Sequence, residues 1–139
     1  MNKERLLRLA DVILPKVPKA NFDMSYWECG TTACAIGWAC QDPVFNAEGF
    51  KFTEGYGDAW KVPVFQAEPD TFKRWFAIQR FFDLNLVDAE YLFSGTKYRG
   101  EGYSGIHDIP SKAVSKRIHE LIKRDDRTEE LLKKLRATA

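Results

Sequence analysis

The sequence lacks a strong net charge and lacks long apolar runs. Its formal net charge is +1 over 139 residues, so no overall field attracts a nucleic acid or a membrane surface. No apolar stretch approaches the roughly 20 residues that a membrane-spanning helix requires. The first residues are charged and amphipathic, without the apolar core of a signal peptide. These absences favour a cytoplasmic protein that binds neither a membrane nor a nucleic acid.

Cysteine is scarce, with only Cys29, Cys34 and Cys40 in the chain. Their C-x4-C-x5-C spacing differs from the paired C-x2–4-C elements of structural zinc sites, and a fourth ligand would have to be a distant His107 or His119. The sequence therefore predicts no metal site, a reducing compartment, and thiols that are small buried packing residues. The alternative is a reactive Cys34, because the start of a helix would lower the pKa of its thiol.

Catalytic signatures are also missing. The chain has no Ser-His-Asp order, no nucleophile elbow, no dinucleotide fingerprint and no P-loop. This predicts no catalytic residues and no cofactor, and it favours binding over catalysis without deciding the question.

Aromatic residues, by contrast, are abundant. They make up 14% of the chain and include four Trp, ten Phe and five Tyr. This is more than a core of this size needs, so we expect some of them at a ligand-binding or partner-binding surface.

Apolar spacing predicts a mostly helical single domain over residues 1–139, with residues 125–139 frayed at the end. The predicted helices span residues 3–14, a short buried segment that begins at Thr31 or Thr32, 70–82, 85–93, 111–123 and 128–136. Asp70 or Thr71, Asn85 and Ser111 are the expected caps of the later helices. Within the buried segment, Gly37 is expected to let another element approach closely.

Two further stretches predict strands. Residues 50–53 and 60–65 are alternating or apolar and are separated by glycines, which favours a β-hairpin. Pro63 would place the second strand at a sheet edge, since proline has no N–H to donate to a neighbouring strand. The expected fold class is α+β: five or six helices around one aromatic core, with a small antiparallel hairpin.

Two segments are candidate ligand sites. The helix start at Gly30, Thr31 and Thr32 could present free backbone N–H groups to an anion. The connection 94–109 contains four glycines and could close over an anionic or nucleotide ligand by charge and stacking. Its candidate ligand-binding residues are Lys97, Tyr98, Arg99, Tyr103 and His107. The simpler alternatives are an ordinary helix cap and a loop without a ligand.

Three stretches together resemble a known family. They are Phe22-Asp23-Met24-x-x-Trp27 running into Cys29-Gly30-Thr31-Thr32-Ala33-Cys34-Ala35-Ile36-Gly37-Trp38-Ala39, then Phe81-Phe82-x-Leu84-x5-Glu90-Tyr91-Leu92-Phe93, and finally Ile109-Pro110. The pattern is similar to a family of short bacterial and phage proteins that share a C-G-T-x-x-C-x-x-G-W-A segment and an E-Y-L-F segment. The resemblance covers residues 3–123. It implies a prokaryotic or viral setting and lends the chain no catalytic residue.

Three functions remain open from the sequence. The leading hypothesis is a small non-enzymatic binding protein, such as a phage or prophage accessory factor that acts on a host protein. The second is a protein that binds a small anion or nucleotide through Thr31-Thr32 and the 94–109 connection. The third is a cysteine-dependent enzyme or redox protein that uses Cys34. A homo-oligomer is compatible with all three.

Overall fold

A computed structural model describes residues 1–25, 27, 32–53 and 61–138. In these ranges the chain forms one α+β domain of six α-helices and a small antiparallel sheet, as the sequence predicts. The helices are α1 (Lys3–Arg8), α2 (Ala35–Ala39), α3 (Pro43–Ala47), α4 (Trp75–Phe82), α5 (Leu86–Phe93) and α6 (Ser111–Ala137). The strands are β1 (Phe50–Thr53), β2 (Val62–Ala67) and β3 (Asp70–Lys73). No helix in the described part of the chain combines the length and the apolar character that crossing a membrane requires.

The first helical segment buries one apolar stripe. α1 continues through a π-helical turn at Leu9–Ile13 and a 3-10 turn at Leu14–Lys16, so the segment ends close to the predicted bound at residue 14. The Asn2 side chain accepts a hydrogen bond from the Arg5 N–H at 3.0 Å and caps its start. The buried side chains of the stripe are Leu6, Leu9, Ala10 and Leu14.

The predicted hairpin is present, but a third strand joins it. The sheet order is β1-β2-β3, so β2 is central and the prediction of Pro63 at an edge is wrong. The Arg74 N–H donates to the Pro63 carbonyl at 2.8 Å, beyond the last paired residue of β3. An N–H at position 63 would point to the same side of β2 as the Pro63 carbonyl. Proline is tolerated at this position because the absent N–H costs only one hydrogen bond, at the end of the ladder between β2 and β3.

The residues that were predicted to start a helix at Asp70 or Thr71 instead form β3. They pair antiparallel with β2, with Phe72 opposite Phe65. Pairing with β2 satisfies the backbone groups on one side of this segment, and this tertiary contact overrides the local capping pattern. α4 therefore begins only at Trp75, directly after Arg74, and ends at Phe82 as predicted.

The core is built around a phenylalanine cluster, which consists of Phe45, Phe50, Phe65, Phe81, Phe82 and Phe93. Phe81 lies at its centre, stacked on Phe50 with ring centroids 4.3 Å apart and edge-on to Phe45 at 4.9 Å. α4 buries Ala77, Ile78, Phe81 and Phe82. Phe76 of the same helix lies on the opposite, solvent side and is 70% exposed.

α5 and α6 complete the domain. Asn85 caps α5 as predicted, since its side chain accepts the Asp88 N–H at 2.8 Å. The two predicted helices 111–123 and 128–136 are one 27-residue helix, α6, because the residues between them include no glycine or proline. Ser111 is its first helical residue and Pro110 is the cap, so the predicted Ser111 cap is also wrong.

Candidate ligand-binding cleft

A cleft of about 530 Å³ opens between the sheet, the start of α4 and the segment that follows α5. Its floor is apolar, and its buried members, Met24, Cys34 and Phe93, also belong to the core. Hydroxyl groups lie around this floor, on Ser25, Ser94 and Thr96. An apolar pocket with a few converging polar groups is the usual form of a small-molecule site.

Two indole rings form the aromatic part of the cleft. Trp27 and Trp75 meet edge to face, with centroids 6.5 Å apart and an interplanar angle of 64°. Both side chains line the cleft and are partly exposed, unlike the phenylalanine cluster apart from Phe65. We call this feature, with Arg74 and Lys61 beside it, the tryptophan cleft.

The position of Trp27 depends on Gly37 in α2. A Cβ at Gly37 would overlap the Trp27 carbonyl oxygen and would lie 2.6 Å from the Ala33 Cβ. The predicted close approach at Gly37 is therefore confirmed. The element that approaches is the backbone that carries one of the two indoles.

The charged groups of the cleft are cationic. Arg74 and Lys61 line it, and none of the described lining residues carries a carboxylate. Both side chains are exposed, and their positive charge beside an apolar floor favours an anionic over a cationic ligand.

Arg74 has an unusual backbone for a residue with a side chain. Its φ is 56° and its ψ is −131°, a region that side chains disfavour by about 1–3 kcal/mol. Two backbone hydrogen bonds hold it there: its N–H donates to Pro63, and its carbonyl accepts the Ile78 N–H at 3.2 Å. The strain lies at the junction of β3 and α4, where it directs the chain from sheet to helix at the rim of the cleft.

One wall comes from the glycine-rich connection 94–109, which forms two 3-10 turns at Gly95–Tyr98 and Ile106–Asp108. A Cβ at Gly95 would overlap the Ile106 side chain, so glycine allows the two turns to pack together at the cleft.

Arg117 of α6 fixes the first turn from the core side. Its guanidinium donates to the carbonyls of Tyr91 and Lys97 at 2.6 and 2.8 Å, and to Glu101 at 2.6 Å. It is 4% exposed and lies 3.5 Å above the centroid of the Tyr98 ring.

The structure brings only the two ends of this connection to the cleft, and it places the five predicted ligand residues elsewhere. Tyr98 is 1% exposed, and its hydroxyl donates to the Leu92 carbonyl at 2.7 Å, so it is a core residue rather than a stacking platform. Arg99 and Tyr103 line an adjoining groove of about 390 Å³, which shares Gly95, Thr96 and Ile106 with the cleft. The Lys97 ammonium lies 3.8 Å from Glu90.

The fifth predicted residue, His107, joins a polar cluster beside the cleft. Its Nδ1 lies 2.7 Å from an Asp23 carboxylate oxygen and 3.1 Å from the Ser25 hydroxyl. A catalytic triad needs the serine and the carboxylate on different ring nitrogens, and here both lie at Nδ1. Burial alone would raise the pKa of Asp23, but hydrogen bonds from the Ser25 N–H and His107 lower it below its ordinary value. The cluster ties the turn at Ser25 to the turn at His107.

The predicted anion site at the helix start is not supported for Thr32. α2 begins at Ala35 with Cys34 as its cap, so Thr32 lies before the helix and is not its N-cap. The bridge between Phe22 and Ala33 accounts for this, because it keeps the chain extended up to the residue before Cys34. Gly30 and Thr31 lie outside the described residues.

Two of the three thiols are structural. Cys34 and Cys40 are free and buried, at 3% and 4% exposure. Burial raises the pKa of Cys34 to about 11 and that of Cys40 well above its ordinary value. The expected lowering of the Cys34 pKa is therefore wrong, because the loss of water outweighs the N–H groups of a five-residue helix. Cys29 lies outside the described residues.

Sequence reasoning missed the residues that define the cleft, Trp27, Arg74 and Trp75. The only signal for the tryptophans is the surplus of aromatic residues, and nothing in the sequence marks Arg74. No family model, curated protein or solved structure matches the chain. The resemblance to the bacterial and phage family stays a prediction.

Proposed function

We propose that the protein binds a small, flat, anionic ligand in the tryptophan cleft, with nucleotides as the first class to test. The observation that carries the proposal is the combination of two partly exposed indoles with Arg74 and Lys61 above an apolar floor. A planar ring can stack on an indole, and a phosphate or carboxylate can meet the cations.

The size of the cleft agrees with such a ligand. Sites for small molecules and cofactors span about 300–1,000 Å³, and the cleft has a volume of about 530 Å³. A mononucleotide would use both the aromatic and the cationic parts, whereas an inorganic anion would leave the indoles unused.

Binding is favoured over catalysis. The most nucleophilic type of side chain in the cleft, the thiol of Cys34, is buried with a raised pKa. The nearby hydroxyl of Ser25 shares one histidine nitrogen with Asp23, which does not activate it as a nucleophile.

The hypothesis of a factor that acts on a host protein stays a prediction. Phe76 and Val87 are the most exposed large apolar side chains of the described residues, at 70% and 76%. Single exposed side chains are normal on protein surfaces, so the cleft gives the better-supported proposal.

Thermal unfolding and tryptophan fluorescence test the proposal directly. The protein is titrated with adenine and guanine nucleotides, with aromatic carboxylates, and with adenosine and inorganic phosphate as single-feature controls. A ligand at 100 times its Kd adds about 2.7 kcal/mol to the free energy of unfolding and raises the melting temperature. A flat anion should quench the indole fluorescence and bind more tightly than adenosine or phosphate.

A matched pair of variants locates the site. Arg74→Gln should weaken binding at least about tenfold through loss of a charge-assisted contact, whereas Lys73→Gln removes the same charge one residue away and should not. If no flat anion stabilises the protein, or if the two variants behave alike, the proposal fails.

A further inference from the structure

The two halves of α6 lie in different environments. The inner half, up to Ile122, buries Ala113, Val114, Ile118 and Leu121 against the domain. The outer half, residues 124–137, is almost wholly exposed, although at about 1.5 Å per residue it extends for roughly 20 Å. Its ties to the domain lie in its first part. Arg124 contacts Asp88 at 3.0 Å, and the Lys3 ammonium contacts Asp125, Asp126 and Glu129 at 3.0, 2.6 and 3.5 Å.

The outer half nevertheless carries an apolar stripe. Leu131, Leu132 and Leu135 are 58%, 44% and 57% exposed. At 100° per residue, these three leucines fall within about 100° of one another, on one face of the helix. This face lies close in direction to the buried face of the inner half, so the stripe continues the packed surface beyond the edge of the domain.

The charges beside the stripe are self-complementary. On one flank, Glu129 and Arg136 lie about 20° apart around the helix axis and two turns apart along it. When two copies of the helix pack antiparallel, each flank meets the same flank of the other copy. Glu129 of each copy then faces Arg136 of the other. In the same register Leu132 lies beside its own counterpart, and Leu131 faces Leu135.

The fold excludes the parallel arrangement. The stripe has nearly the same direction as the inner face, so a parallel second helix would run into the domain that covers residues 113–122. An antiparallel helix leads away from the first domain.

We propose that the outer half of α6 is an interface with a second copy of this chain, formed by an antiparallel, two-fold symmetric helix pair centred near Leu132. The contact is isologous, so every interaction occurs twice. Two helix segments of this length bury less than the roughly 1,200 Å² of a standard interface, so the dimer is weak and depends on concentration.

Sedimentation velocity from ~1 µM to ~500 µM tests the proposal over a range of weak and moderate affinities. The wild-type protein should shift from monomer to dimer. Leu132→Glu places two negative charges, one from each copy, beside each other at the two-fold axis of the dimer and should weaken association at least about tenfold. Val44→Glu introduces the same charge at another exposed aliphatic residue and should leave association unchanged.

Charge reversal tests the register. Glu129→Arg and Arg136→Glu should each weaken the dimer, and the double variant should restore it, because it re-forms both ion pairs with reversed signs. Leu132 and Arg136 are not buried in the domain, so Leu132→Glu and Arg136→Glu should leave the melting temperature of the dilute protein unchanged, whereas Glu129→Arg should lower it slightly because it removes the contact with Lys3. A wild-type protein that is monomeric throughout, or a dimer that Leu132→Glu leaves intact, overturns the proposal. A double variant that stays as weak as the single variants overturns the antiparallel register.

Discussion

The phenylalanine cluster and the tryptophan cleft use the same kind of side chain for different purposes. Phe45, Phe50 and Phe81 are at most 1% exposed, and the Phe81 ring contacts the other two at ring-centroid distances below 5 Å. Trp27 and Trp75 contact each other more loosely and leave part of each ring at the cleft. Among the described residues, most aromatic side chains therefore belong to the core or pack against it, and few of them line the cleft. This comparison predicts that substitutions in the cluster change stability, whereas substitutions in the cleft change binding.

The largest expected effect is on the cluster. Phe81→Ala should lower the free energy of unfolding by about 3–5 kcal/mol, since it removes the central ring of the core. Urea denaturation measures the loss. Phe76→Ala, on the same helix but 70% exposed, should change stability by less than about 0.5 kcal/mol. Equal losses for the two variants would contradict the description of the core.

The next effect is at the wall between the two regions. Arg117→Met should cost about 2–3 kcal/mol, because the carbonyls of Tyr91 and Lys97 lose their donors. Hydrogen exchange should accelerate in residues 94–101. The exposed Arg99→Met serves as the control, with little change in either measurement. If exchange there is unaltered in Arg117→Met, the guanidinium does not fix the turn.

Arg74→Gly should separate stability from binding. Glycine accepts a positive φ without strain, so the variant should gain about 1 kcal/mol of stability while it loses the guanidinium and affinity for a flat anion. Asp83→Gly relieves a second positive φ, at 52°, away from the cleft, but it also removes an ion pair with the N-terminal ammonium, whose nitrogen lies 2.7 Å from the carboxylate. It should therefore gain less stability than Arg74→Gly and should bind normally. Thermal unfolding with and without ligand distinguishes the two variants, and a destabilised Arg74→Gly would refute the strain.

The smallest expected effect is that the buried thiols of the native protein do not react with an alkylating reagent. Cys34 belongs to both regions, since it is in the core and lines the floor of the cleft. Its raised pKa leaves little thiolate at neutral pH, so iodoacetamide should label Cys34 and Cys40 only after denaturation. Peptide mapping by mass spectrometry measures the labelling of each cysteine. Rapid alkylation of Cys34 in the native protein would instead support the hypothesis of a cysteine-dependent enzyme.

Local patterns predicted the parts of the fold that depend on local interactions. The stripe of Leu6 and Leu9, the Asn85 cap and the first two strands follow from spacing and side-chain chemistry within a few residues. The β3 strand could not be predicted this way, because Asp70–Lys73 becomes a strand only when β2 is beside it. The presence of β3 in turn makes β2 central and alters the expected role of Pro63.

The cleft was harder to predict than the fold. It combines residues from positions 24–34, 61–75 and 93–106, and only the folded chain brings them together. The positive φ of Arg74 could not be predicted from the sequence, because arginine is not a residue type that favours a positive φ. The glycines of the 94–109 connection suggested a mobile loop over a ligand, whereas the contacts of Arg117 fix part of it as a wall.

The contact between Gly37 and Trp27 has a consequence for experiments that sample many variants. A methyl group at position 37 would push back the peptide that carries Trp27, so even the smallest side chain there moves an indole ten residues earlier in the chain. A random-mutagenesis screen for ligand response would therefore score position 37 as intolerant, although nothing bound in the cleft would touch it. Such a result would identify a residue that positions the Trp27 indole rather than a residue that contacts the ligand.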